Sequence, residues 1–124
     1  MIFLEVAYII FCVILAHVNF VMIGKDKKPN HWLNGLIHLT MAAVCYFVFW
    51  KPGAIIILCN ARVFFDATLN YLRFGRINYV SLSPSSLIDK IERKIFGNDG
   101  YTPKIIYLLI SISLNVIYYL KIKN

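Results

Sequence analysis

Residues 32–72 read WLNGLIHLTMAAVCYFVFWKPGAIIILCNARVFFDATLNYL. An indole stands at each end of the first half, Trp32 and Trp50. Trp is favoured at the headgroup level because its ring body is apolar and its N–H wants a polar partner. Lys51-Pro52-Gly53 then makes a tight turn, and a second apolar run goes from Ala54 to Leu72. Each run has roughly the 20 residues needed to cross a hydrocarbon core. The stretch predicts an antiparallel hairpin of two spans.

The flanking sequence repeats the pattern. Ile2–Ile23 is a third apolar run. It begins with Glu5 where a signal peptide would carry Lys or Arg, and no small-residue cleavage pattern precedes Gly24, so it reads as a span. Gly24 to Asn30 is a polar connector. Downstream, Leu87, Ile88, Ile91 and Ile95 share one helical face. Ser86 with Asp89 has capping-box spacing, Pro84 suits a helix start, and Gly97-Asn98-Asp99-Gly100 stops the pattern. A helix over 84–96 is too short and too charged to span, so it is expected at the membrane surface. A fourth run, Lys104 to Leu120, is slightly short and ends in Lys121 and Lys123. The expected fold is an all-α integral membrane protein, one domain over 1–124. It has four transmembrane helices (about 2–23, 32–50, 54–72 and 104–120) and a short cytoplasmic amphipathic helix.

Composition agrees with this reading. Of the 124 residues 60% are apolar and 15% charged, and mean hydropathy is +0.68. A soluble domain runs nearer ~45–50% apolar and ~25% charged. Disorder is excluded by the same figures. Three cysteines, Cys12, Cys45 and Cys59, fall one per span, with no paired spacing for a disulfide framework. They read as small buried apolar residues. The net charge of +7 does not indicate nucleic-acid binding, because the basic residues sit in short segments between apolar runs. Lys25, Lys27, Lys28, Arg73, Arg76, Lys90, Arg93, Lys94 and Lys104 fall on one side, against Lys51, Lys121 and Lys123 on the other. The positive-inside rule then puts connectors 24–31 and 73–104 in the cytoplasm and both termini outside. A bias toward Ile, Asn, Lys and Tyr fits an AT-rich gene and a bacterial or phage inner-membrane protein.

Ionisable groups within spans are costly and are the first functional candidates. His17, His38 and Asp66 each lie six residues from the cytoplasmic end of a run, hence about 9 Å deep. His31 and Asn34 share the His38 face, and Arg62, Asp66 and Asn70 form a stripe at spacing four. Gly35, Ala42 and Ala43 are small enough to admit a neighbouring helix. The bland reading is that Arg62 and Asp66 neutralise each other and the polar residues only join helices. Glu5 then reads as an interfacial carboxyl, and Ser111, Ser113 and Asn115 as packing contacts. The leading functional expectation is a non-enzymatic assembly, accessory or holin-like membrane protein, with no cofactor. Its partners are the lipid bilayer and a homo-oligomer or larger membrane protein. A first alternative is a metal-dependent hydrolase of lipid headgroups, with His17, His31, His38 and Asp66 holding Zn or Fe. A second is a proton or ion relay in which Arg62 keeps Asp66 charged. No Gly-rich phosphate loop, G-x-S-x-G, HExxH or CxxC is present to support soluble-enzyme chemistry.

Overall fold

The computed structural model describes residues 1–24, 30–80 and 86–124. Lys25, Lys27, Lys28 and the expected helix-starting Pro84 lie outside them. Among the described residues five helical stretches succeed one another: α1 (Ile2–Ile23), α2 (His31–Phe49), α3 (Gly53–Phe74), α4 (Leu87–Phe96) and α5 (Thr102–Lys123). Among the described residues four of them, α1, α2, α3 and α5, are long and apolar enough to cross a membrane. No strand occurs among these residues.

The central element is α3, which packs against α1, α2 and α5. It is also the most polar of the long helices, because a helix surrounded by others can satisfy polar side chains through its neighbours. Tyr8, Cys12, Ala42, Cys45, Ile57 and Ala61 make the core where α1, α2 and α3 meet. All three cysteines are buried and unbridged. The small residues divide differently from expectation. Ala42 is buried, Ala43 is exposed, and a Cβ on Gly35 would meet nothing within 4 Å. The close approach occurs instead at Gly53 in the hairpin turn, where a Cβ would stand 2.7 Å from Cys45 Sγ.

Two π-helical turns interrupt the regular winding, Cys45–Phe49 at the end of α2 and Ala61–Phe65 within α3. Each adds a residue to a turn and so rotates the downstream side chains about the helix axis. Helix α5 begins earlier and ends later than the 104–120 run and reaches 22 residues, about 33 Å. Its start is held by Asp99, which accepts the Tyr101 and Thr102 backbone N–H groups at 2.9 and 3.0 Å and the Thr102 hydroxyl. These donors hold the Asp99 carboxyl below its ordinary range, the Thr102 hydroxyl foremost. Part of the expected stop signal is therefore the next helix's anchor. A Cβ at Gly100 would overlap the Asn78 carbonyl, so the connector folds tightly there.

Candidate functional site

Arg62 sits in the π turn of α3, where its guanidinium meets three carboxylates. Glu92 on α4 takes it bidentately, Nε at 2.7 Å and Nη2 at 2.6 Å. Asp89, one turn earlier on α4, accepts from Nη2 as well. Asp66 accepts from Nη1 at 3.3 Å and is also paired with Lys104 at the start of α5, 2.8 Å. Asn70 donates to Asp66 at 3.2 Å. The expected Arg62–Asp66 pairing is present, as the weaker member of a larger network. Fork geometry explains why Glu92 holds Arg62 best: two parallel N–H donors match two carboxylate oxygens.

Helix α4 supplies two of these carboxylates because Ser86 caps it, accepting the Asp89 N–H at 3.1 Å. Burial alone would raise the Asp89 carboxyl. The Arg62 charge, followed by the Ser86 and Arg62 hydrogen bonds, outweighs it and holds the group below its ordinary range. A neighbouring face, about a third of the way round the helix, carries Leu87, Ile88, Ile91 and Ile95, all between 49% and 73% exposed. The acidic sector of α4 thus points into the protein, Leu87, Ile91 and Ile95 point out, and Ile88 stands at the cavity's edge.

Beneath α4 lies a cavity of about 690 Å³, bounded by α2, α3, α4 and the start of α5. Arg62, Arg73, Arg93 and Lys104 line it together with Asp66, Asp89, Glu92 and Asp99. Leu39, Leu58, Phe65 and Leu69 give it an apolar side, and Gly35 opens onto it. His31, His38, Asn70, Arg62 and Asp66 are all in this wall.

His17 is elsewhere. It is exposed on α1, and its Nδ1 is 2.9 Å from the Val13 carbonyl. His38 is buried and bonds through Nδ1 to the Tyr8 hydroxyl at 2.6 Å. Among the described residues no three His, Cys, Asp or Glu side chains are grouped to hold a metal. The ligand set expected from equal depth therefore does not assemble. Depth sets height along the bundle and leaves angular position open, and His17 faces away. Among the described residues His38 and Asp66 belong to separate hydrogen-bonded groups.

A second polar cluster was not legible in the sequence. Glu5, 8% exposed, accepts through Oε1 from Asn60 at 2.8 Å, Asn115 at 2.9 Å and Ser111 at 3.2 Å. Ser111 also lies 2.9 Å from Asn60 Oδ1. Read singly, these residues look like an interfacial carboxyl and packing contacts. The four-residue spacing of Ser111 and Asn115 was the available clue to a shared target. Asn19 and Asn34 make a third group, a reciprocal amide pair at 2.9 and 3.2 Å that ties α1 to α2. The chain matches no family model, no curated protein and no solved structure.

Proposed function

We propose that this is an integral membrane protein that binds the polar end of an amphiphile in the cavity beneath α4, without performing chemistry on it. The four long helices cross the bilayer with both termini outside and connectors 24–31 and 73–104 in the cytoplasm, in keeping with the Lys and Arg distribution. The cavity then opens in the cytoplasmic half of the membrane. The observation that carries this reading is the composition of its wall, with charged groups of both signs beside an apolar side. A polar headgroup fits the first and the root of an acyl chain fits the second. The outward apolar face of α4 supports it, since that face suits lipid and keeps water from the ligand. Assembly, the leading expectation from sequence, needs no cavity of this size.

The test is retention of bound lipid during purification. Protein extracted in a mild detergent is expected to carry about one amphiphile per chain by native mass spectrometry. Gly35→Leu places a side chain in open space on the cavity wall and is expected to remove the bound mass without lowering the melting temperature. Equal retention by both proteins, or none by the wild type, would overturn the reading.

A further inference from the structure

We infer that His38 presents a hydrogen-bond donor to the cavity and selects a phosphate-bearing amphiphile over a neutral one. This rests on the amphiphile-binding reading above and adds the ligand's chemical class and the residue that reads it. His38 is 9% exposed and is one of the residues that line the cavity. Its Nε2 is buried and has no hydrogen-bond partner among the described residues. A buried polar atom left unpaired is costly, so one on a residue that lines a cavity marks a place where a ligand completes the bonding.

The protonation of that atom is set by its neighbour. Tyr8 OH lies 2.6 Å from Nδ1, and the phenol O–H is the stronger donor of the two groups. Tyr8 therefore donates, Nδ1 accepts, and in the neutral ring the proton is on Nε2. Tyr8 is in the α1 core and outside the cavity wall. The two ring nitrogens point in nearly opposite directions, so Nε2–H is directed away from α1. Phe65, at 5.1 Å and edge-on, holds the ring from the α3 side.

The ligand must then offer an acceptor. The cavity's own carboxylates already have donors: Asp66, Asp89 and Glu92 on Arg62, and Asp99 on the start of α5. A cavity wall that carries His38 together with Arg73 and Arg93 favours an anionic oxygen, and phosphate presents several. The Glu5 cluster is a different case, because the Asn60 and Asn115 amides and the Ser111 hydroxyl already converge on Oε1. Tyr8 acts as a positioning residue, fixing the tautomer without touching the ligand.

The inference is tested by isothermal titration of detergent-solubilised protein with dioctanoyl phosphatidic acid, dioctanoylglycerol and inorganic phosphate. The wild type is expected to bind the phosphatidic acid about 10-fold or more tighter than the glyceride, and to bind inorganic phosphate weakly. His38→Leu should reduce this preference to near unity. His38→Gln, whose amide N–H₂ reaches the Nε2 position, should keep most of it, and Tyr8→Phe should lower it part-way. The preference is a ratio within each variant, so a fall in the amount of folded protein does not mimic the result. Equal affinity for both amphiphiles, or an unchanged preference in His38→Leu, overturns the phosphate inference and leaves amphiphile binding standing. Inorganic phosphate binding as tightly as the phosphatidic acid overturns the lipid source. Failure of both amphiphiles to bind overturns the amphiphile reading itself.

Discussion

At Glu5 a carboxyl 8% exposed sits among helices, and three neutral donors make its burial tolerable. An unpaired carboxylate there would be far more costly than the hydrogen bonds are favourable. Removing it strands the donors in turn. Glu5→Ala leaves the Asn60 and Asn115 amides without their acceptor and is expected to destabilise the protein by roughly 2–4 kcal/mol. Glu5→Gln keeps an acceptor oxygen and should cost distinctly less. Denaturation in mixed micelles monitored by circular dichroism measures both, and equal loss in the two variants would contradict this account. The same logic separates residues that sequence treats alike. His17, His38 and Asp66 each stand six residues from the end of an apolar run, yet His17 bonds its own helix, His38 bonds α1 and Asp66 bonds α3 and α5. A one-dimensional pattern gives height through the rise per residue, but neighbours are set by rotation and by which helices meet.

Helix α4 shows how far an element can be inferred. Its period, cap and stop are local properties, so its existence and the Ser86 cap were legible. Its rotation was not. At 100° per residue it has three sectors: the apolar face, the Asp89 and Glu92 face, and a face with Lys90 and Lys94. A surface reading uses the first alone. The structure uses the second to neutralise Arg62, since one carboxylate at 3.3 Å and spacing four is poor compensation for a buried guanidinium. A nitroxide at Ile95→Cys is expected to be reached by oxygen from the lipid, and one at Lys90→Cys by a water-soluble nickel relaxant. The opposite pattern would mean that α4 turns its charged side to lipid. The π turn in α3 had no Pro or Gly to announce it, and the even 62-66-70 stripe gave no sign of the change in winding.

For the whole molecule the proposed orientation makes a separate claim. Alkaline phosphatase fused after Asn124 should be active in a bacterial host and inactive when fused at Gly97; a fluorescent protein should show the reverse. Activity at both points would break the assignment of sides. That assignment, and the number and approximate places of the long helices, came from sequence because they depend on composition summed over about 20 residues and on charges in the connectors. Such sums survive ignorance of packing. The cavity, the closure of α4 over Arg62, the Glu5 cluster and the dispersal of the histidines came only from tertiary structure. Each joins residues from different helices, and the short hydrogen bonds involved depend on helix rotation, which hydropathy leaves open within a bundle whose outer surface is apolar on nearly every side.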